Sequence, residues 1–217
     1  TVIICPLFIQ LHLQKSLESN SQQNRGLLVT RGRPLHIVDE VYNPSKVTTL
    51  EWPEGTIKDN QTVYSVGVCN GLACFRVKGY SMCDFGEADF FIICNPSMRT
   101  FKITPPPIEK EWPGPCSSSL NCFGYDSEHD DYKIVIVTSD RVEDGSVRDM
   151  LIYSLKANLW KCVTPSSSPS SLASCPNLGD PVFVNNMFHY KLWSIRCDRI
   201  ARFDLSLRRW MDDIFLP

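Results

Sequence analysis

Acid, base and metal chemistry has few places to reside in this chain. The densest titratable cluster is Asp126-Ser127-Glu128-His129-Asp130-Asp131, where carboxylates flank an imidazole as an acid/base pair or a metal site requires. The same six residues have the spacing of a hairpin turn, whose acidic side chains keep it solvated, and the turn is the simpler reading. His12, His36 and His189 fall in separate segments with no nucleophile beside them. Glu143, Asp144 and Asp149 share one segment, but no acid from another segment is placed to complete a glycosidase pair. GxSxG, HExxH and glycine-rich phosphate loops do not occur in the sequence. The expectation is a chain without catalytic residues, cofactor or metal.

The ten cysteines raise a different chemistry. Cys69, Cys74, Cys94 and Cys162 fall inside predicted strands, where a free thiol behaves as a small buried hydrophobe. No pair has the CxxC spacing of a zinc site; Cys69 and Cys74 are separated by the turn Asn70-Gly71. Reduced cysteines predict a cytoplasmic or nuclear setting; the sequon Asn60-Gln61-Thr62 is a lone signal the other way. A net charge of −2, from 22 basic and 24 acidic residues, offers no broad field for nucleic acid. The run Val2–Ile9 is too short to span a membrane. No nucleic-acid or membrane partner is expected.

The elements that position these residues read as short strands. Fifteen prolines and eleven glycines, spread between apolar runs, favour an all-β chain with many turns. Val66–Cys69 and Leu72–Val77 flank Asn70-Gly71, the pair that tolerates positive φ at both central positions of a hairpin. Phe90–Cys94 and Arg99–Ile103 flank Asn95-Pro96-Ser97-Met98, a second tight turn. Four strands joined as tight turn, long loop, tight turn make one propeller blade. A weaker blade precedes it, with strands Gly26–Thr30, Pro34–Val38 and Val47–Trp52. A third has strands Cys122–Tyr125, Tyr132–Thr138, Asp149–Leu155 and Leu159–Val163. A fourth has Pro181–Val184, Met187–Trp193, Ile200–Leu205 and Arg209–Ile214.

The repeat is sharpest at the turn between third and fourth strands. Cys94 to Phe101, Tyr153 to Trp160 and Phe203 to Trp210 each span eight residues and end on an aromatic. A β-sandwich also alternates hairpins, but a large residue recurring at one fixed place favours blades that each pack their neighbour. The prediction is a kelch-like propeller, incomplete, of about four blades, with a short N-terminal helix. Pro6 suits the first helical position, and Ile9, Leu13 and Leu17 draw an apolar stripe to residue 19.

In order, Gly67-Val68-Cys69-Asn70-Gly71-Leu72, Cys94-Asn95-Pro96-Ser97-Met98-Arg99-Thr100, Gly124-Tyr125-Asp126-Ser127, Asp131-Tyr132-Lys133-Ile134-Val135, Asn158-Leu159-Trp160 and Phe203-Asp204-Leu205 resemble the F-box-associated domain of plant F-box proteins, of the F-box/kelch-repeat and S-locus F-box types. The helix Pro6–Ser16 resembles the exit of an F-box. The resemblance implies residues 1–20 as the remnant of an F-box helix and 25–217 as the associated domain. It implies a truncated member of the family, with most of the F-box and the later blades missing. It also implies function: the F-box binds the Skp-type adaptor of a cullin-RING (SCF) ubiquitin ligase, and the β domain captures the protein to be ubiquitinated. Adaptor and cullin are then partners only where the F-box is complete. A carbohydrate-binding or glycan-processing propeller, and a scaffold without a ligase, remain as alternatives.

Loop lengths point to where a client would bind. First-to-second and third-to-fourth turns share one end of a blade and are short; second-to-third loops and blade connections share the other and are long. The long set is Lys78–Asp89, Ser139–Arg148, Ser194–Arg199, Pro53–Thr62, Ile108–Leu120 and Thr164–Asp180. Varied loops on a rigid scaffold make a recognition surface. Tyr80, Phe85, Trp112, Arg141, Arg196 and Arg199 are its aromatic and arginine anchors. Arg196, Arg199, Arg202, Arg208 and Arg209 concentrate positive charge near the end, as a solvated edge or a site for an acidic partner.

Overall fold

The computed structural model describes residues 27–30, 35–38, 47–79, 90–107, 119–138, 150–164, 177–178, 181–194 and 197–215. The predicted N-terminal helix and the F-box remnant at 1–20 lie outside them. Every described element is a strand, and every pairing is antiparallel.

The chain divides into two compact units. The first holds a sheet of β1 (Leu27–Thr30), β2 (Leu35–Val38) and β3 (Val47–Leu50), and a sheet of β4 (Thr62–Cys69), β5 (Leu72–Lys78), β6 (Phe90–Asn95) and β7 (Thr100–Ile103). The second holds a sheet of β8 (Ser119–Asp126), β9 (Asp131–Thr138), β10 (Met150–Ser154) and β11 (Leu159–Val163). Its other sheet joins β12 (Asn177–Leu178), β13 (Val182–Val184), β14 (Met187–Ser194), β15 (Cys197–Asp204) and β16 (Arg209–Phe215). In the first three sheets, and from β13 onward in the fourth, the strands pair in chain order, the meander of a propeller blade.

Backbone chemistry at the turns fixes the pairing. Asn70 and Gly71 both adopt positive φ (50° and 76°), as do Asn185 and Asn186 (50° and 65°), so each pair closes a two-residue hairpin. Four other connections share a second design: Asn95 to Thr100, Asp126 to Asp131, Ser154 to Leu159 and Asp204 to Arg209 are directly opposed pairs enclosing four residues. In each, the first residue's side chain accepts the backbone N–H three positions on: Met98 to Asn95 (3.1 Å), His129 to Asp126 (3.2 Å), Ala157 to Ser154 (3.0 Å) and Leu207 to Asp204 (2.8 Å). The residue after that donor takes φ of 51–55° in every case, at Arg99, Asp130, Asn158 and Arg208.

The eight-residue repeat is a consequence of this turn. Cys94 faces Phe101, Tyr153 faces Trp160 and Phe203 faces Trp210 directly across their hairpins. The latter two pairs bring ring centroids to 5.2 Å. In the first unit Trp52 packs against Phe75 and Phe101 (5.2 and 5.7 Å), over a core of Leu50, Ala73, Phe75 and Cys94. In the second unit Cys122, Val135, Val137, Met150 and Ile152 of one sheet bury against Phe188, Tyr190, Leu192, Ala201, Phe203 and Trp210 of the other.

Two details depart from expectation. The opening strand of the last sheet is in two pieces, since both β12 and β13 pair with β14. Pro181, between them, has no N–H to give a ladder. The connection predicted at Ser194–Arg199 is short: Ser194 pairs with Cys197, leaving only residues 195 and 196 between strands. Of the long set, Pro53–Thr62 is described, and it is pinned by turn bonds from Thr56 N to Pro53 O and Gln61 N to Lys58 O, both 3.1 Å.

Candidate functional site

Tyr80, Phe85, Trp112, Arg141 and Arg196 lie outside the described residues, as do Glu143, Asp144 and Asp149. Of the six, Arg199 is described. It stands at the start of β15 opposite Leu192 and Phe215, not on a loop, and its Nη1 lies 4.0 Å from Asp213 Oδ2. The described histidines are apart from each other along the fold: His36 on β2, His129 on the β8–β9 turn, His189 on β14. Among the described residues no three of His, Cys, Asp and Glu are grouped to hold a metal ion.

The acidic turn is a turn, but its first carboxylate is not solvated. Asp126 is wholly buried, and its Oδ1 accepts the N–H groups of Glu128 (3.1 Å) and His129 (3.2 Å). Lys133 Nζ donates to Oδ2, and His129 Nδ1 lies 2.8 Å from the same oxygen. Across the sheet-to-sheet interface, Ser206 Oγ donates to Oδ1 at 2.5 Å. Burial alone would raise the Asp126 pKa, but the hydrogen bonds from Lys133 and Ser206 and the lysine charge win and lower it to about 2. Asn186 Nδ2 donates to Ser206 Oγ (2.5 Å), while Asn186 Oδ1 accepts Ser127 N (3.4 Å). A neighbouring carboxylate, Asp131, accepts Ser154 Oγ (2.6 Å) and Lys156 N (2.9 Å), tying β9 to the β10–β11 turn.

A carboxylate so enclosed has no open side for a reacting group. Its chemistry is cohesive: it joins the two sheets of the second unit at their tight-turn end. Deeper in the same interface Cys122 Sγ and Tyr190 Oη share a hydrogen bond of 2.8 Å. Burial pushes the Cys122 thiol up to about 12, with Tyr190 lowering it only in part, so the sulfur stays protonated and is no nucleophile. No sequence signal marks these partnerships, because Asp126 and Ser206 lie 80 positions apart.

Among the described residues of the second unit, apolar and basic side chains are exposed on its last sheet. Leu207, on the β15–β16 turn, is 52% exposed and is followed by exposed Arg208 and Arg209; Val182 and Val184 on β13 are 60% and 46% exposed. The first unit exposes Met98 beside Arg99 on its equivalent turn.

Comparison with known proteins agrees with this architecture. The chain is 25% identical over 170 residues to the F-box/kelch-repeat protein At3g23880 of Arabidopsis thaliana, covering 78% of this chain and 43% of that protein. It is 27% identical over 225 residues to the F-box protein At4g22390 of the same plant, covering 95% of this chain and 52% of the relative. The chain thus spans about half the length of the curated relatives it matches. Among solved structures, a luciferin-regenerating enzyme superposes with a TM-score of 0.53 at 10% identity, over 92% of this chain and 61% of the other; the likeness is one of fold. The family described as the F-box associated beta propeller domain matches residues 33–217. With that match spanning nearly all of the blades, the chain belongs to the F-box associated beta propeller domain family.

Proposed function

We propose that this chain is the client-capturing part of an F-box protein, a substrate-recognition module of an SCF-type cullin-RING ubiquitin ligase without catalytic activity of its own. The observation that carries this reading is the family match over 33–217, together with relatives that are themselves F-box proteins. The geometry is consistent with it: strand ends clamped by side-chain-capped turns make a stiff frame. Tyr80, Phe85, Trp112, Arg141 and Arg196 are the anchors we assign to the connections between strands, with Arg199 beside them at the start of β15. Residues 1–20 we assign to the F-box end and 25–217 to the β domain. A cytoplasmic or nuclear setting is part of the proposal, supported by the buried thiols of Cys69, Cys74, Cys94 and Cys122.

The experiment is recovery of the full-length protein from plant cells with an affinity tag. Adaptor and cullin are expected to co-purify, and to be lost when the F-box is deleted while a client remains with the β domain. A client retained with no cullin in either form would overturn the ligase assignment and favour a scaffold.

A further inference from the structure

The first two sheets meet along a seam that is filled within and open at its rim. Leu50, the last residue of β3, is buried in one cluster with Ala73, Phe75 and Cys94 of the second sheet. Trp52, two residues further on, packs on Phe75 (ring centroids 5.2 Å) and on Phe101 of β7 (5.7 Å). Trp52 and Phe101 are both half-buried. Ile103 continues the same face of β7, in the cross-strand row of Phe75 and Ile92, and is 45% exposed. Glu51 and Glu54 flank Trp52; both are exposed, and neither forms an ion pair among the described residues. Of the other charges nearby, Lys58 and Asp59 offset each other, and Lys102 lies on the opposite face of β7, paired with Ile93. The rim is therefore apolar at its centre and acidic at its border.

We propose that this rim, Trp52, Phe101 and Ile103 bordered by Glu51 and Glu54, is a docking site for a client segment in which an apolar side chain is flanked by lysine or arginine. The proposal rests on the reading of the domain as a client receptor and names the class of client. The seam lies between two sheets consecutive in the chain, so a further sheet of a propeller would stack on the far face of one of them and leave the rim as it is. Its place agrees with the end of the sheets where the long connections gather: Trp52 opens the Pro53–Thr62 connection, and Ile103 ends β7 away from the tight β6–β7 turn. Backbone bonds hold the rim in position. Thr56 N donates to Pro53 O (3.1 Å) around Gly55, whose φ of 73° suits such a turn. Lys58 N donates to Gln61 Oε1 (2.8 Å), and Gln61 N to Lys58 O (3.1 Å). Thr104, next to Ile103, donates its N–H to Phe91 O (2.9 Å) and accepts Phe91 N on Oγ1 (3.1 Å). A client docking here therefore orders little that is not already fixed. Tryptophan is prominent among the residues that carry binding energy at protein interfaces, and an ammonium or guanidinium group gains further from an indole beside it. Charge selects the occupant. The two carboxylates repel nucleic-acid phosphates, acidic segments and a second copy of the same rim, and attract lysine and arginine.

The test is an array of synthetic peptides of varied composition probed with the purified chain, alongside the E51K/E54K and I103S variants, whose exposed substitutions leave the core intact. The expected result is selection of peptides in which Lys or Arg flank Leu or Phe. Binding should weaken about tenfold or more in E51K/E54K and at raised salt, and that variant should come to prefer acidic peptides. I103S should weaken the selected peptides several-fold and keep the preference for basic flanks. Failure to bind any peptide, indifference to peptide charge, equal binding by E51K/E54K, or a dimer in light scattering that I103S abolishes would each overturn the proposal. So would a melting temperature lowered by more than about 5 °C in I103S, the mark of a rim covered by the chain itself. Should it fail while the full-length protein still recovers adaptor, cullin and client, the receptor function stands and the client is held elsewhere.

Discussion

Ser206, on the last turn of the fourth sheet, donates its hydroxyl proton to Asp126, at the end of β8, from 80 positions further along the chain. That bond and the Lys133 ion pair meet on one buried carboxylate, so the two sheets of the second unit share an electrostatic pin at one end and an apolar seam along the rest.

Removing the pin strands a buried cation. Asp126→Ala is expected to lower unfolding free energy by about 3 kcal/mol, the usual cost of breaking one side of a buried ion pair. Ser206→Ala is expected to cost about 1–2 kcal/mol. Urea melts of the two variants and the double variant would show the coupling as a sum smaller than its parts.

The same carboxylate sets an acid limit. Its folded pKa, about 2, lies below the unfolded value near 3.9, so ionised Asp126 contributes stability that is complete above about pH 4. As pH falls through 4 towards 2 that contribution is lost. Thermal melts over this window should fall more steeply for the parent than for Asp126→Asn, which has no proton to gain.

A methyl group at Gly124 has no room. Its Cβ would stand 2.6 Å from the Phe183 ring, which packs on the bare backbone of β8. Because the ring edge can swing aside, Gly124→Ala is expected to cost about 1–2 kcal/mol. Pairing it with Phe183→Leu should return part of that loss, measured as a double-mutant cycle in denaturant.

Thiol reactivity should follow burial. Desolvation pushes Cys94 and Cys122 up to about 12, whereas Cys162 is exposed. Brief treatment with iodoacetamide at pH 8, followed by peptide mass spectrometry, should modify Cys162 and spare Cys94 and Cys122. Adding denaturant should equalise all three.

Relief of backbone strain is testable at the β15–β16 turn. Arg208→Gly removes the Cβ that makes φ 53° unfavourable, and stability is expected to rise by up to about 1 kcal/mol.

Much of this fold is written in local chemistry. Asn70-Gly71, Asn185-Asn186 and the capped four-residue turns have short-range causes, so the strands they join were legible from residue types alone. The eight-residue spacing of Tyr153 to Trp160 and Phe203 to Trp210 was visible for the same reason, being the circumference of one turn. Long-range choices were not. Asp126 reads as a solvated turn acid until Ser206 and Lys133 are seen to close over it. The beginning of β15 was missed because Cys197-Asp198-Arg199 is polar, with the look of a loop, yet Arg199 is accommodated beside Asp213. Two-residue β12 leaves no periodic trace, so only its pairing with Leu192 and Trp193 reveals it.

The contact between Phe183 and Gly124 reaches beyond this one chain. A keyway exists on β8 only while position 124 lacks a side chain, and the aromatic that fills it is what sets the inward strand of the next blade at its depth. The two sites should therefore drift together across the family: where natural variation enlarges the first, the second is expected to shrink, and a blade graft that imports one without the other should sit askew.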